Sequence, residues 1–219
     1  TILMCPKDLQ LCIVTDSLNI EKAKYLLKKY QIILDPIWIN INEFDKNIDL
    51  ASPNSLNIFM KDKLFWERLP EEKILITQTD SLLSEPLPEF YFNFPYLGAP
   101  FIPRQQSEYF YTRNIGKSIE SFIKIDNIIH GSPNPDVYPH LYGNGGLSIR
   151  SRSLMSQISS EQGYKSPLEE QEDVFFSRHI KTYSETMPLQ IAQSFACESY
   201  YQYSSIGSHS AWKYFNSSQ

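Results

Sequence analysis

The chain has 219 residues, 42% of them hydrophobic, which is enough to build the core of one domain. Its formal net charge of −5 argues against a nucleic-acid partner, because nucleic-acid-binding proteins present a basic face to the phosphates. No segment has the apolar length of a membrane span, and the first residues lack the pattern of a signal peptide.

The three cysteines, Cys5, Cys12 and Cys197, are an odd number and show no metal-ligand spacing. They predict reduced thiols and a cytoplasmic protein. Thr1 in place of a methionine indicates a trimmed chain or a piece of a longer protein. No repeat or Gly/Ser linker divides the sequence, so we expect one domain over residues 1–219.

The first hundred residues alternate strand-like and helix-like segments. Apolar, β-branched runs predict strands, and apolar residues at intervals of three and four predict helices. The predicted strands are residues 9–15, 31–34, 37–41, 73–81 and 96–98, and the predicted helices are residues 17–30 and 55–68.

The rest of the chain continues the same alternation. It comprises a weak helical pattern at 116–130, a Pro-rich loop at 131–139, a strand at 145–150 and helices at 151–160 and 171–183. Strands alternating with helices are typical of α/β proteins. We therefore expect a mostly parallel, mixed central sheet flanked by helices on both faces.

Gln78, Thr79, Asp80 and Ser81 end the apolar strand of residues 73–81. Ligands of open α/β sheets bind beyond the carboxyl ends of the strands, and an acid there is well placed to hold a cation against a diphosphate. The alternative is that Asp80 only caps the following turn.

Asn144, Gly145 and Gly146 precede the predicted strand of residues 145–150 and continue into it. Glycines let a ligand approach the backbone closely, and an asparagine amide offers both a donor and an acceptor, as a sugar requires. The alternative is an ordinary Asn-Gly hairpin turn.

Glu172 and Asp173 begin the apolar helix of residues 171–183. Acids in this position are favoured by the helix dipole, so both residues have an ordinary structural explanation. The functional interpretation is that one carboxylate, Asp173, faces a cleft and removes a proton from an acceptor hydroxyl group.

His209 and Trp212 form a polar and aromatic cluster near the end of the sequence. An isolated histidine is usually a surface or packing residue, yet imidazole is also a common ligand of first-row metals. His209 is therefore a candidate metal ligand.

Taken in order, these clusters resemble a known family. The motifs are Gln-Thr-Asp-Ser at 78–81, Tyr-Leu-Gly-Ala-Pro-Phe at 96–101, Asn-Gly-Gly-Leu-Ser-Ile-Arg at 144–150, Glu-Asp-Val-Phe-Phe at 172–176 and Gly-x-His-x-x-Trp at 207–212. Their order resembles that of small GT-A fold glycosyltransferases, many of them known only as predicted enzymes. The resemblance covers residues 55–212.

The resemblance implies a transferase that moves a hexosyl or pentosyl group from a nucleotide-sugar, expected to be a UDP-sugar, to a glycan or glycoconjugate acceptor. In GT-A enzymes an Asp-x-Asp motif binds the metal and the donor diphosphate, and residues 78–80 resemble it with Gln78 in place of the first acid. Asp80 is thus the one carboxylate carried over, and His209 becomes correspondingly important.

The resemblance leaves two stereochemical outcomes. Residues 172–174 are similar to the acidic motif that supplies the base in inverting transferases, whereas the terminal His-x-x-Trp is similar to a metal-binding segment of retaining ones. We favour inversion, because a placed carboxylate completes a single-displacement mechanism and nothing in the sequence marks a second nucleophile.

The expected roles follow from the charge that glycosyl transfer places on the leaving diphosphate. Asp80 and His209 would hold Mn²⁺ or Mg²⁺, with the histidine favouring Mn²⁺. Asp173, or its neighbour Glu172, would be the catalytic base. The expected donor-binding residues are Thr15, Asp16, Gln78, Thr79, Asp80, Ser81, Asn144, Gly145, Gly146 and Trp212, and Arg150 and Arg152 either offset leaving-group charge or are exposed structural residues.

Two other functions remain open. A non-catalytic module that binds nucleotide-sugars would keep Asp80 and the glycines but would not use an acid at Asp173. A sugar nucleotidyltransferase normally carries a Gly-rich basic loop after its first strand, and residues 15–19 contain neither glycine nor lysine.

Overall fold

The structure is a computed structural model that describes residues 4–6, 9–30, 35–44, 52–100, 143–163, 170–180, 182–183, 189–198 and 204–210. Several predictions from the sequence lie outside these residues. They are the strand at 31–34, the helix at 116–130, the loop at 131–139 and the donor contact by Trp212.

The described residues form a mixed α/β structure, which confirms that strands and helices combine as expected. Its strands are β1 Cys12–Thr15, β2 Ile37–Asn40, β3 Lys73–Thr77, β4 Ser81–Leu83, β5 Tyr96–Gly98, β6 Leu147–Ser151, β7 Ala196–Cys197 and β8 Gly207–His209. Its α-helices are α1 Ser17–Lys29, α2 Pro53–Met60, α3 Lys63–Arg68, α4 Arg152–Gln162, α5 Glu172–Ile180 and α6 Leu189–Phe195. Short 3-10 helices lie at Ile41–Glu43 and Glu89–Asn93.

The strands pair in three small sheets in the described part of the chain, rather than in one mostly parallel sheet. β1 and β2 are parallel, β3 and β5 both flank β6 antiparallel to it, and β8 lies between antiparallel β4 and parallel β7. The expected predominance of parallel pairing is therefore not found among these strands. The alternation of strand and helix in the sequence does not determine strand direction when long segments separate partners such as β3 and β6.

The sheet of β3, β6 and β5 separates two clusters of buried side chains. Side chains alternate across a sheet, and the register aligns Ile74, Arg150 and Tyr96 on one face and Leu75, Ile149 and Leu97 on the other. The first face packs on the aromatic core, which contains Phe59, Phe65, Trp66, Phe175 and Phe176, and the second packs on the second core, which contains Leu83, Leu97, Leu147, Ile149 and Phe195.

The predicted helices that lie in the described residues are found with two differences, and α6 was not predicted. The single helix expected at 55–68 is divided into α2 and α3, because the side chain of Asp62 accepts a hydrogen bond from Leu64 N at 2.9 Å and starts a second helix. The other difference is that α1 has no fully buried residue, and Leu26 within it and Tyr30 directly after it are exposed. None of the helices in the described ranges is long and apolar enough to cross a bilayer.

Candidate functional site

The loop Gly143–Gly146 is the centre of the candidate site. It is buried and leads directly into β6. The carbonyl oxygen of Gly146 accepts hydrogen bonds from Gln78 N at 2.8 Å and from the Ser81 hydroxyl at 2.7 Å. The loop is thereby attached to both ends of the turn between β3 and β4, which contains Asp80.

Asp80 and His209, which the sequence predicts as two metal ligands, lie side by side. Asp80 is in the turn after β3, and the antiparallel pairing of Ser81 with His209 brings β8 beside it. Asp80 Oδ1 is 3.2 Å from His209 Nε2, and Gln78 Oε1 is 3.1 Å from the same nitrogen.

Ser210 fixes the carboxyl group of Asp80 on its other side. Its hydroxyl group donates to Asp80 Oδ2, and its backbone N donates to Asp80 O at 3.1 Å. Ser210 has a φ of 49°, in the left-handed region that a residue other than glycine seldom adopts. This conformation directs both donors of Ser210 towards Asp80, one to its side chain and one to its backbone, so Ser210 sets the orientation of Asp80.

Glu198, which was not predicted from the sequence, lies at the opposite side of the His209 ring. Its Oε1 is 3.3 Å from His209 Nδ1, and its Oε2 accepts a hydrogen bond from Asn144 Nδ2 at 2.7 Å. Its one local signal is that it follows a strand, and that strand, β7, has only two residues and was not predicted.

The donor set of Asp80 and His209 fits a divalent cation that shares its coordination with a ligand. Two ligand atoms at right angles on an ion with bonds of about 2.1 Å are about 3 Å apart, close to the separation of Asp80 Oδ1 and His209 Nε2. Within the described residues, no group of three or more His, Cys, Asp or Glu side chains forms a complete metal cage. A cation here would take its other ligands from phosphate oxygens and water.

Asp173 approaches the same loop from the beginning of α5. Its Oδ2 accepts from Gly145 N at 3.1 Å and its Oδ1 from Val174 N at 2.8 Å. Burial and the negative charge of Glu172 raise the pKa of Asp173 to about 7, although Arg150 and the two N–H groups act to lower it. A carboxyl group with this pKa exchanges a proton readily near neutral pH.

Glu172 has a different environment from its neighbour. Arg150 Nη1 and Nη2 donate to its two carboxylate oxygens at 2.5 and 3.0 Å, and both side chains are buried. Because both oxygens of Glu172 are held by a permanent cation, Asp173 accepts a proton more readily than Glu172 does. Arg150 is buried, so the alternative that it is an exposed structural residue is wrong.

The glycines of the loop make room for the site's own side chains. A Cβ atom at Gly146 would overlap the ring of His209, and one at Gly145 would overlap Glu172 Oε1. Asn144 is 4% exposed and uses its amide for Glu198 and for Gly146 N. Side chains of the protein itself therefore pack closely beside these residues, and sugar binding by Asn144, Gly145 and Gly146 stays a prediction.

A family assignment follows from the same part of the chain. Residues 38–210 match the model of a family described as "Protein of unknown function (DUF5672)". The chain belongs to the DUF5672 family. No curated protein and no solved structure matches it. The DUF5672 match includes Asp80, Asp173, Glu198 and His209, so the whole candidate site lies inside the family region.

The predicted contacts of Thr15 and Asp16 lie before the DUF5672 match. Thr15 ends β1 beside Asn40 of β2, and Asp16 caps α1 by accepting from Asn19 N at 2.8 Å. The hydrogen bonds from the Asn19 backbone and side chain lower the pKa of Asp16. Thr79 is exposed in the turn before Asp80.

Proposed function

We propose that this protein is a glycosyltransferase with a GT-A-like fold, which transfers a sugar from a nucleotide-diphosphate-sugar, expected to be a UDP-sugar, to an acceptor hydroxyl group. One observation carries the proposal. Consecutive residues of one loop contact the two halves of the expected machinery, because Gly145 binds Asp173 and Gly146 packs on His209. The Asp173 carboxyl group and the His209 ring are therefore no more than about 12 Å apart.

Asp173 suits the role of the base. An acceptor hydroxyl group must lose its proton as it attacks the sugar, and a base with a pKa near the working pH is the most effective. The pKa of about 7 meets that requirement, and its cause is burial together with the charge of Glu172. Arg150 holds Glu172 in place, so that Asp173 alone of the two acids is available for the proton.

Asp80 and His209 suit the diphosphate end of the donor. They are the residues that would hold Mn²⁺ or Mg²⁺, which would neutralise the charge developing on the leaving phosphate. Ser210 and Gln78 then serve to orient the two side chains. A single base and a single cation site are sufficient for direct displacement, so we expect inversion at the sugar carbon.

Asp16 suits the nucleoside rather than the phosphates. Asp16 is negatively charged at neutral pH, consistent with its lowered pKa, and a carboxylate repels phosphate but accepts hydrogen bonds from ribose hydroxyl groups. Thr15 and Asp16 at the end of β1 are therefore proposed to contact the ribose or the base.

A non-catalytic nucleotide-sugar-binding module is the second candidate, and one observation favours it. Both oxygens of Asp173 already accept backbone N–H groups, as a carboxylate with a purely structural role would. The two functions differ in whether the proton of an acceptor passes to Asp173.

Replacement of Asp173 by asparagine separates the two candidates. A thermal-shift screen of UDP-sugars with Mn²⁺ first identifies a donor, since a ligand of the folded state raises its stability. If Asp173 is the base, Asp173→Asn keeps donor affinity while transfer falls by about two to four orders of magnitude. If Asp173 has only a structural role, Asp173→Asn would instead lower the unfolding free energy by about 1 kcal/mol and leave transfer unchanged.

Asp62→Asn is the matched control, because Asp62 is also an acid at the start of a helix, α3, and lies outside the site. It is expected to leave transfer unchanged. Proton NMR of the product tests the mechanism, and an α-linked product from an α-linked donor would reject single displacement. Donor binding without transfer by the unmodified protein, tested over a panel of acceptors, would favour the binding module.

A further inference from the structure

We propose that α1 binds an anionic lipid surface through its outward face, as a peripheral helix that lies along the lipid headgroups. The outward face consists of Leu18, Lys22, Tyr25 and Lys29. These residues recur at intervals of four, three and four positions, so they share one side of the helix. The inference concerns a surface outside the candidate site and does not depend on the proposed function.

The other side of α1 is the one that packs on the protein. Its partly buried residues are Ile20, Ala23 and Leu27. Lys24 Nζ lies 5.8 Å from the ring centre of Trp38 on β2, and it also pairs with Glu21 at 2.9 Å. The outward face is therefore the side of α1 that the described residues leave open to solvent.

Two large side chains stand exposed on the outward face. Leu18 is 83% exposed and Tyr25 is 62% exposed, whereas a surface helix of a globular protein normally turns its large apolar residues towards the core. Tyrosine suits a boundary between an apolar layer and water, because its ring is apolar and its hydroxyl group is polar. The outward face thus presents an apolar side chain together with an interfacial one.

The helix that carries this face is positively charged. It has four lysines and one glutamate, although the net charge of the whole chain is −5. Lys22, Lys28 and Lys29 are exposed and form no ion pair within the described residues. Lysines beside exposed apolar residues are typical of helices that lie on anionic membranes, where the lysines contact headgroups and the apolar side chains enter the acyl boundary.

Charge and apolar exposure together favour a lipid surface over two other partners. A second copy of the chain would bring the lysines of one outward face against those of the other, because a twofold interface joins the same surface of both copies and like charges repel. A nucleic acid would match the lysines, but its phosphate backbone offers no apolar layer for Leu18. An anionic bilayer accommodates both the lysines and Leu18.

Attachment through one short helix is expected to be reversible and sensitive to salt. Each lysine close to an anionic membrane strengthens binding about fivefold, and this attraction falls off within a Debye length, about 10 Å at 0.1 M salt. Burial of one leucine side chain adds an apolar contribution that salt does not screen. The lysines and Leu18 can therefore be tested separately.

Sedimentation of the protein with lipid vesicles tests the proposal. We expect binding to vesicles that contain phosphatidylserine, none to vesicles of phosphatidylcholine alone, and release at about 1 M salt, where the Debye length is about 3 Å. Lys22→Ala should weaken binding about fivefold, and Lys22→Ala combined with Lys29→Ala about 25-fold. Leu18→Ser should weaken it about tenfold, because the apolar contribution is lost.

Lys63→Ala and Leu64→Ser are the matched controls, because both residues are exposed and lie next to each other on α3 rather than on α1. They are expected to leave vesicle binding unchanged. Circular dichroism checks that every variant is folded, and the exposed positions of all the replaced side chains favour that result.

Three results would overturn the proposal. The first is that the unmodified protein does not bind vesicles containing phosphatidylserine, and the second is that the α1 and α3 variants lose binding equally. The third is a dimer in solution that Leu18→Ser dissociates, measured by light scattering, which would assign the outward face to a second copy of the chain.

Discussion

The two oxygens of Asp80 have different neighbours. Oδ2 accepts from the Ser210 hydroxyl group, whereas Oδ1 faces His209 Nε2. The side chain is therefore oriented before any ligand arrives, which lowers the entropy that binding would otherwise cost. Preorganisation of this kind makes Asp80 the residue whose loss should have the largest effect on the donor diphosphate.

Asp80→Ala is expected to abolish Mn²⁺-dependent binding of UDP while the fold remains intact. His209→Ala should weaken the same binding less, and more in Mn²⁺ than in Mg²⁺, because the harder ion gains little from a nitrogen ligand. Calorimetry with each metal measures both effects. If His209→Ala weakened UDP binding equally with Mn²⁺ and with Mg²⁺, His209 would contact the donor directly.

Asp173 should give transfer a characteristic pH dependence. The base works only when ionised, so the rate is expected to rise with pH up to about 7, the pKa of Asp173, and then to level off. Glu172→Gln removes the neighbouring charge that raises this pKa, so the midpoint of the profile should move to lower pH. An unchanged midpoint in Glu172→Gln would show that another group controls the rate.

At the level of elements, one ion pair joins β6 to the beginning of α5. Arg150 and Glu172 are buried, and the guanidinium group lies 4.8 Å from the ring centre of Tyr96 and 5.4 Å from that of Phe176. The pair fixes the first turn of α5 and with it the position of Asp173. A buried pair is expensive to form and more expensive to break.

Glu172→Gln is therefore expected to cost about 3–5 kcal/mol of unfolding free energy, because Arg150 keeps its charge without a charged partner. Replacement of both residues, Arg150→Met with Glu172→Leu, should cost less than Glu172→Gln alone. Urea denaturation measures the three variants. Lys63→Ala breaks the exposed pair with Glu67 and serves as the control, with an expected cost of about 0.5 kcal/mol. If breaking the buried pair and breaking the exposed pair lowered the unfolding free energy by similar amounts, the special cost of the buried pair would be contradicted.

The sequence predicted elements better than their assembly. The apolar periodicity located β3, β5, β6 and most helices, because a local pattern is sufficient to form them. Strand direction depends on contacts between distant segments, so the antiparallel pairs of β6 were missed. The sequence Leu-Ser-Ile-Arg-Ser of β6 alternates as if one face met water, yet all five residues are buried between two cores.

The residues of the candidate site show the same difference between what local sequence patterns predict and what depends on distant contacts. Asp80 and Asp173 were singled out because the sequence places one at the end of a strand and the other at the start of a helix, and His209 was singled out because imidazole is a common metal ligand. Glu198 was missed because its role depends on the distant residues Asn144 and His209. The loop glycines were recognised, but the atoms that fill the space beside them belong to the protein.

For the whole molecule, Asp173 couples stability to pH. Its pKa is about 7 in the folded state and lower in the unfolded chain, so between these values the folded state binds more protons. The contribution of Asp173 is then fully favourable at low pH and is lost as the pH rises towards 7. The steepest loss is about 1.4 kcal/mol per pH unit.

Asp173→Asn should remove this dependence. The unfolding free energy of the variant, relative to the unmodified protein, is expected to increase between about pH 4 and pH 7 and to stay constant above that range. Urea denaturation at a series of pH values gives the difference. A constant difference across the series would mean that ionisation of Asp173 has no cost in the folded state.

The hydrogen bonds that attach the loop Gly143–Gly146 and the turn between β3 and β4 to their neighbours have a consequence for amide hydrogen exchange. The amides of Gln78, Gly145 and Ser210 belong to no helix or strand, yet their acceptors are Gly146, Asp173 and Asp80, on other parts of the chain. These amides exchange with solvent only when their hydrogen bonds open. They should therefore exchange as slowly as the amides of β6, and slow exchange in loop positions would mark the site as part of the most stable unit of the protein.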